Sequence, residues 1–287
     1  MMTAAGESFG TAELQALERN TFVRRAEFLP VVDSTNTYAL QLAESAPLAI
    51  PHLVIAGEQT AGRGRGANRW WSGPGALAWS LVLDAEELGL TPENWPRISL
   101  TAALAVCETV RQLAPQAACG IKWPNDVLAG GRKICGVLPE LPRPVSHDRP
   151  LPNRLVLGVG LNVNNALAEA PPEIRAVATS LVDLTGRAHD QVDVLTRILG
   201  RLEQNLLLLR QGDPDLAEAW SRRCLLRGGV VELCQGERRI RGVCGGIAAD
   251  GGLWLDPGEG PRRYYSGTIG RIERPAGNTP LPNRGPA

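Results

Sequence analysis

Lysine is scarce in this sequence of 287 residues. Only Lys122 and Lys133 are present, and the other 28 of the 30 basic residues are arginines. Thirty acidic residues balance the basic ones, and this zero net charge argues against a broad nucleic-acid-binding surface, which normally shows as a basic excess. In a sequence that generally uses arginine, a lysine indicates a position where a compact ammonium is needed and a planar guanidinium would not serve. The segment 122–133 is therefore the first place to look for a site.

Long apolar runs, paired metal-ligand motifs and targeting signals are also missing. No run approaches eighteen apolar residues, which excludes a membrane span. The first twenty residues lack a basic end followed by an apolar stretch, so we expect no secretory signal. No Cys-x-x-Cys pair occurs, which does not favour structural zinc. We expect free, mostly buried thiols in a reducing cytoplasm at the six cysteines: Cys107, Cys119, Cys135, Cys224, Cys234 and Cys244.

The hydrophobic periodicity changes near residue 226. Before it, short apolar strands and amphipathic helices predict an α/β (α+β) domain. After it, short runs at roughly ten-residue spacing, separated by Gly-rich turns, predict a small antiparallel barrel or sandwich. The last fifteen residues contain four prolines and no core-forming period, which predicts disorder. The expected division is an N-terminal extension 1–24, a larger domain 25–226, a small β domain 227–272 and a disordered tail 273–287.

A glycine-rich segment, residues 62–71, reads Gly-Arg-Gly-Arg-Gly-Ala-Asn-Arg-Trp-Trp. Its glycines let the backbone approach a ligand, and its arginines offer two-pronged contacts to phosphate or carboxylate. The tryptophans supply a flat surface for a ring. The segment is neither a Walker A loop, which needs Gly-Lys-Ser/Thr, nor a dinucleotide fingerprint, whose glycines open a helix. An RGG-like disordered nucleic-acid binder is the alternative, but flanking strands and zero net charge argue against it.

Three further polar segments border predicted strands. Lys122 ends one strand before a Pro-Asn-Asp turn, where it can neutralise a carboxylate and a phosphate that meet in a pocket, although such a lysine alone is more often a solvated charge. In the segment 158–164, two glycines admit a ligand and Asn162 offers both donor and acceptor, although a strand glycine can also mark a bulge. The segment 33–36 is either a plain helix N-cap or a hydroxyl-bearing receptor for a carboxylate.

Together and in this order, these segments resemble the biotin protein ligase family, in its monofunctional form without an N-terminal DNA-binding domain. The matching pieces are DSTN, GEQTAGRGR…RWWS, IKWPND, RKICGVLPE, GVGLNVN and ATSL. A Gly-Arg-Gly-Arg loop followed by Trp, with Lys-Trp-Pro-Asn-Asp further along, is highly specific, whereas each piece alone is not. The resemblance implies a mixed-sheet catalytic domain of the class II synthetase type and a small SH3-like β-barrel C-terminal domain.

The activity implied by the resemblance is that of biotin–[acetyl-CoA-carboxylase] ligase, which forms C–N bonds. Biotin and ATP, with Mg2+, would give biotinyl-5′-AMP. A lysine of a biotin carboxyl carrier protein, from acetyl-CoA carboxylase or a related carboxylase, would then take the biotin and release AMP. About thirty residues precede the DSTN segment, too few for a winged helix, so we expect no DNA binding. We also expect no membrane partner, a cytoplasmic location and, as a candidate state, a homodimer.

The resemblance also assigns residues to roles. The implied catalytic cations, which offset the repulsion between carboxylate and α-phosphate, are Arg63, Arg65 and Lys122. The residues implied at the biotin end are Ser34, Thr35 and Asn36, with Gln59 on the ureido ring. The remaining residues, implied around the phosphates, the adenine and the ribose, are Gly62, Gly64, Arg69, Trp70, Gly136, Gly160 and Asn162. Asn125 and Asp126 are implied either to orient Lys122 or to bind through Mg2+, with Asp126 as the candidate metal ligand. Position 68 departs from the family, since it is Asn where a phosphate-binding Arg is common, and Arg69 is the alternative bearer of that role.

Two other functions remain as alternatives. A lipoate or octanoate ligase or transferase on the same scaffold is the closer one. The transferases use a nucleophilic cysteine together with a lysine, and Cys135, two residues after Lys133, is the candidate. The flanking motif and the Gly/Arg loop favour the biotin ligase, with Cys135 as a small core residue. A non-catalytic effector-binding or RNA-binding protein is the other alternative. The presence of Gln59, both loop arginines and Lys122 argues against it.

Overall fold

A computed structural model of the chain describes residues 9–44, 47–91, 95–142 and 153–273. The predicted disordered tail lies, apart from Glu273, outside the described residues. Within these ranges, no helix is both long and apolar enough to cross a membrane.

The larger of two sheets has seven strands and is mixed, as the family resemblance implies. Its strands are β1 Arg25–Val32, β2 His52–Gln59, β3 Ala76–Asp84, β4 Cys119–Lys122, β5 Asp126–Ala129, β6 Arg132–Glu140 and β7 Arg154–Asn162. Their order is β1-β2-β3-β7-β6-β5-β4, with β1 and β2 parallel and all other neighbours antiparallel. The helices are α1 Thr11–Asn20, α2 Thr35–Ala43, α3 Trp95–Leu113, α4 Pro172–Arg175, α5 Leu181–Thr185, α6 Gln191–Gln211 and α7 Pro214–Arg223.

Strand β3 is buried on both faces because helices cover both sides of the sheet. Its alternate residues Leu77 and Trp79 belong to the main core, together with apolar side chains of α3 and α6. On the opposite face, Val82 packs with Ala39 and Ala43 of α2. Period-2 alternation thus divides each central strand into a face toward α3 and α6 and a face toward α2.

The long helix α6 has clear start and stop signals. The Asp190 carboxylate accepts hydrogen bonds from the N–H groups of Val192 (2.8 Å) and Asp193 (3.2 Å), which satisfies two of the free donors of the first turn. At the other end, Gly212 takes a left-handed conformation with φ of 67°. Between these caps, apolar residues at helical spacing pack into the main core.

The second sheet is antiparallel and has five strands, β8 Val230–Gln235, β9 Arg238–Ile247, β10 Leu253–Asp256, β11 Arg262–Tyr264 and β12 Thr268–Glu273. Their order is β11-β10-β9-β8-β12, which confirms the predicted antiparallel unit and agrees with the expected SH3-like type. Gly267, with φ of 130°, lies in the short connection between β11 and β12.

The two sheets share one core. The buried indole Nε1 of Trp123, beside β4, donates to the Gly251 carbonyl at 3.0 Å. The N–H of Leu225 donates to the Ile121 carbonyl at 2.9 Å, so the chain leaving α7 runs along β4 before it enters the second sheet. The boundary near residue 226 therefore separates two sheets that pack together. The division into domains 25–226 and 227–272 stays a prediction.

Local structure departs from the sequence pattern near the centre of the chain. The strand expected to end at Lys122 before a Pro-Asn-Asp turn is β4. After the turn at residues 123–125 the chain returns as β5, which pairs with β4 and which the sequence did not indicate, because a four-residue strand is too short to show a period of its own. The N-terminal extension expected over residues 1–24 contains α1.

Gly200, in the middle of α6, provides a test of helix propensity. A Cβ at this position would have no neighbouring heavy atom within 4 Å. Because alanine is favoured over glycine in a helix interior, Gly200→Ala should raise the free energy of unfolding by about 0.5–1 kcal/mol in urea denaturation. Gly212→Ala at the left-handed cap should lower it. A loss of stability at position 200 would contradict the packing described.

Candidate active site

A cleft of about 220 Å³ opens on the face of the large sheet that carries α2. It is bordered by the start of α2, the loop after β2, the β4–β5 turn, β6, β7 and the first residues of β12. Most residues that the sequence predicts for a site line this cleft: Ser34, Thr35, Asn36, Gln59, Arg63, Gly64, Arg65, Arg69, Trp70, Lys122, Asn125, Asp126, Gly136 and Gly160. Four segments far apart in sequence therefore meet in one place.

The start of α2 forms a buried polar cluster. Ser34 is the N-cap residue but its side chain makes no cap bond. Instead, the N–H and hydroxyl of Thr35 donate to Gln59 Oε1 at 2.8 and 3.2 Å. The hydroxyl of Ser80, on β3, lies 2.8 Å from Thr35 Oγ1 and 2.6 Å from Asn36 Oδ1. Fixed hydroxyl and amide groups of this kind can recognise an uncharged polar head group such as an amide or a urea.

Glu140, at the end of β6, connects this cluster to the glycine-rich loop. One carboxylate oxygen accepts from Asn36 Nδ2 at 2.9 Å, and the other lies 2.7 Å from Arg63 Nη2. Gly158, on β7, is required beside it, because a Cβ there would lie 1.9 Å from Asn36 Oδ1. The orientation of Asn36 thus depends on both neighbours.

The glycine-rich loop folds back on itself as a tight turn. Its ends pair at Arg63 and Arg69, and the N–H of Gly64 donates to the Asn68 carbonyl at 2.9 Å. Gly66, with φ of 66°, supplies the left-handed residue of the turn. The Asn68 side chain donates to the Arg65 carbonyl at 2.9 Å and so stabilises the turn. Arg69 lines the cleft, with a long 3.4 Å contact to the Thr60 carbonyl.

The cleft carries a strong excess of positive charge. Its lining contains one carboxylate, that of Asp126, among the described residues, and five cationic side chains: Arg63, Arg65, Arg69, Lys122 and Lys133. Burial lowers the pKa of Arg65 from its usual value, and the nearby charge of Asp126 opposes that shift. A concave site with this balance attracts anionic ligands.

Lys122 differs from the other cations of the cleft. Within the described part of the chain, its ammonium has no salt-bridge or hydrogen-bond partner, whereas Arg63 pairs with Glu140 and Lys133 pairs with Asp126 at 2.7 Å. Lys122 can therefore bind an anionic group of a ligand without first breaking an ion pair with the protein.

A flat surface for an aromatic ring lies on the two central strands. Gly136 of β6 and Gly160 of β7 are direct partners in the antiparallel register. The ring of Trp70 lies over them, since a Cβ at Gly160 would be 2.3 Å from Trp70 Cε2 and one at Gly136 would be 3.4 Å from Cζ3. The indole N–H of Trp70 is buried and has no partner among the described residues.

Three predicted residues have structural contacts. Asn162 is buried outside the cleft lining, donates to the Thr179 carbonyl at 3.0 Å and accepts from Asn165 Nδ2 at 2.9 Å. A nucleotide contact by Asn162 would require these bonds to exchange, so that role stays a prediction. Gly62 also lies outside the lining, and its carbonyl accepts from the N–H of Trp70 at 3.0 Å. Asn125 donates to the Val137 carbonyl at 2.7 Å and holds the turn that follows Lys122.

The sequence interpretation missed two residues that contact the lining of the cleft. Ser80 and Glu140 gave no sequence signal, because each is an ordinary residue of a predicted strand. Lys133 had a signal in the scarcity of lysine, but it was not assigned to the site.

The second sheet also reaches the cleft, which the sequence did not indicate. Thr268 and Ile269, at the start of β12, belong to its lining. The guanidinium of Arg65 donates to the Gly267 carbonyl at 2.5 Å. The loop and β12 therefore form one wall.

Cys135 is fully buried on the core face of β6, and burial raises the pKa of its thiol. A thiol in this environment lacks both the access and the thiolate character of a nucleophile. Its expected role as a small core residue agrees with this position.

Comparisons with known proteins agree on one family. Residues 28–162 match the Biotin/lipoate A/B protein ligase family. The chain is 35% identical over 238 residues to a biotin–[acetyl-CoA-carboxylase] ligase of Mycobacterium tuberculosis, covering 82% of this chain and 84% of that protein. It is 32% identical over 241 residues to the bifunctional ligase/repressor BirA of Bacillus subtilis, covering 83% and 71%. Among solved structures, biotin protein ligase from Aquifex aeolicus in complex with biotin and ATP is similar, with a TM-score of 0.73, 30% identity and coverage of 87% and 99%.

The contact between Gly158 and Asn36 yields a test of the polar cluster. Gly158→Ala should lower the free energy of unfolding by about 1–3 kcal/mol, because the added methyl group overlaps the Asn36 amide. In the Gly158→Ala/Asn36→Ala double variant the overlap is gone, so the loss should be smaller than the sum of the single losses. Urea denaturation of the four proteins measures the difference, and strict additivity would refute the contact.

Proposed function

This chain belongs to the biotin protein ligase family and is a ligase with biotin and ATP as substrates, and we propose that it attaches biotin to a lysine of a biotin carboxyl carrier protein. The observation that carries the proposal is a cleft in which an unpaired ammonium and four further cations lie beside a buried cluster of hydroxyl and amide groups. Such a cleft suits a ligand with a neutral polar head, a carboxylate and a nearby phosphate. Biotin and ATP together present these three groups.

In the first step, the biotin carboxylate attacks the α-phosphorus of ATP. A new P–O bond forms, the bond to the β-phosphate oxygen breaks, and pyrophosphate leaves with the electron pair. The obstacle is the repulsion between carboxylate and phosphate. Arg63, Arg65 and Lys122 supply positive charge where the two anions meet, and preorganised charge of this kind is commonly the largest catalytic term.

The cleft geometry supports a direction for the substrates. The ureido ring of biotin lies at the cluster formed by Thr35, Asn36 and Gln59, with its carboxylate toward the glycine-rich loop. The adenine binds near the Gly136–Gly160 surface, where Trp70 offers its ring. Gly64 lets the loop backbone come close to the phosphate, and Arg69 takes the place of the loop arginine that position 68 lacks.

In the second step, the neutral amine of the carrier lysine attacks the biotinyl carbonyl, and AMP leaves. The partner is a biotin carboxyl carrier protein of acetyl-CoA carboxylase or a related carboxylase. Residues 25–226 form the catalytic unit, and the unit 227–272 completes one wall through Thr268 and Ile269. We further propose a cytoplasmic location, which free thiols at all six cysteines support.

Mg2+ fits this cleft as a companion of the triphosphate. The described residues contain no group of three or more His, Cys, Asp or Glu side chains that could enclose a metal. A single carboxylate, that of Asp126, faces the cleft, and Mg2+ in nucleotide sites is typically held by one or two carboxylates together with substrate phosphates. Asp126 would hold the ion, and the ion would supply positive charge to the leaving pyrophosphate.

A lipoate ligase or octanoyl transferase is the alternative function on this scaffold. The two functions are distinguished by which acid the protein binds and activates. With ATP present, biotin should stabilise the protein against heat, by about 2.7 kcal/mol at one hundred times its Kd, and lipoate or octanoate should not. Mass spectrometry of the same mixtures should detect biotinyl-AMP only. A lipoyl or octanoyl adenylate, without a biotinyl one, would overturn the proposed substrate.

Lys122→Arg tests the ammonium at the reacting centre. The positive charge is kept, but a planar fork cannot replace a compact ammonium between two anions, so biotinyl-AMP formation should fall about 10²–10³-fold. Arg132→Lys, at an exposed position outside the cleft, is the matched control and should keep the normal rate. A normal rate in Lys122→Arg would refute the role.

A further inference from the structure

Lys133 is the second of the two lysines, and the structure places it in the same cleft as the first. Its Nζ atom lies 2.7 Å from Asp126 Oδ1 and 5.8 Å from the centre of the Trp70 ring. A Cβ at Gly136 would come within 3.3 Å of the same Nζ. The ammonium therefore stands beside the surface proposed for the adenine and across Asp126 from Lys122, which is the direct register partner of Asp126.

A β-bulge brings Lys133 to this position. Along β6, Gly136 and Leu138 line the cleft and Cys135 faces the core, so strict alternation would direct residue 133 into the core. The register with β5 shifts between Val127, opposite Cys135, and Leu128, opposite Lys133. The extra residue, Ile134, is fully buried. The bulge thus reverses the side-chain parity and turns a lysine into the cleft, as bulges beside active sites often do.

The salt bridge between Lys133 and Asp126 is weak enough to be exchanged. Their side chains are 37% and 23% exposed, and partly solvated pairs contribute little net stability. Asp126 is also the one carboxylate that lines the described part of the cleft, against five cations. A polyphosphate brings several anionic oxygens into this field and can therefore displace Asp126 from Lys133.

We propose that Lys133 is a nucleotide-binding residue whose ammonium leaves Asp126 for a phosphate oxygen of ATP. The inference rests on the proposed function and extends it, since it gives the nucleotide a cation on β6 in addition to the loop arginines and Lys122. Asp126 holds the ammonium in place before the nucleotide arrives, and its own carboxylate is freed in the exchange.

The simpler interpretation is that Lys133 only positions Asp126. The comparison of Asp126→Asn with the double variant Asp126→Asn/Lys133→Gln separates the two roles, because both proteins lack the carboxylate and differ only at position 133. On the proposal, the double variant has a KM for ATP about tenfold or more above that of Asp126→Asn, the effect expected for one lost charged hydrogen bond. The KM for biotin stays within about twofold.

Arg132→Gln in the Asp126→Asn background is the matched control. It removes one positive charge from the neighbouring, exposed residue of the same strand, outside the cleft lining. An equal rise in the KM for ATP in this control would assign the effect to long-range electrostatics and overturn the proposal. Equal KM values for Asp126→Asn and the double variant would also overturn it. Thermal melts of all four proteins establish that each is folded.

The dissociation rate of biotinyl-AMP from the same proteins shows which phosphate is bound. A faster release from the double variant places Lys133 on the α-phosphate, and an unchanged release with a raised KM for ATP places it on the β- or γ-phosphate; both results support the inference. Equilibrium dialysis with labelled ATP alone measures the Kd for ATP of Asp126→Asn and of the double variant in the absence of any acid substrate. Failure of wild-type protein to form biotinyl-AMP would refute the proposed function, whereas an ATP affinity in the double variant equal to that of Asp126→Asn would refute the role of Lys133.

Discussion

The carboxylate of biotin and the α-phosphate of ATP are both negatively charged and have to meet in one cleft. The arrangement of charged side chains around the cleft follows from this constraint. Five cations close together repel one another in the absence of an anionic ligand, which would destabilise the folded protein. In the structure, this repulsion is offset because several of the cations each bind a different protein partner. Arg63 is held by Glu140, Lys133 by Asp126 and Arg65 by the Gly267 carbonyl. Lys122 alone among these cations has no protein partner in the described structure, and it is the one proposed at the reacting centre.

The central strands serve stability and binding on opposite faces. On β7, Leu157 and Val159 pack into the main core, while the intervening Gly158 and Gly160 face the cleft. A Cβ at either glycine would overlap Asn36 or Trp70. Because side chains alternate along the strand, β7 places large apolar side chains on its core face and glycines on its cleft face. Substrate groups can come close to the backbone because the core behind the sheet is filled independently.

The contiguous motifs were the part of the site that could be predicted. The residues of the segments 34–36, 63–70 and 122–126 do meet in one cleft, because each motif lies at a strand end or in a loop where neighbouring residues stay together. Lys133 was missed because the alternating pattern of β6 does not reveal a bulge. Glu140 was missed because its role depends on Arg63 and Asn36, which are distant in sequence. The fold class followed from periodicity, whereas the short strand β5 could not.

The second sheet belongs to the cleft more closely than a change of periodicity indicates. Its strand β12 lines the cleft, and the residue before it, Gly267, accepts the Arg65 guanidinium. The same sheet is joined to β4 through the buried bond from Trp123 to Gly251, one residue beyond Lys122. Movement of the second sheet would therefore displace a loop arginine and disturb the turn that follows the unpaired lysine. The change of periodicity near residue 226 therefore does not separate the second sheet from the site, since that sheet forms one wall of the cleft.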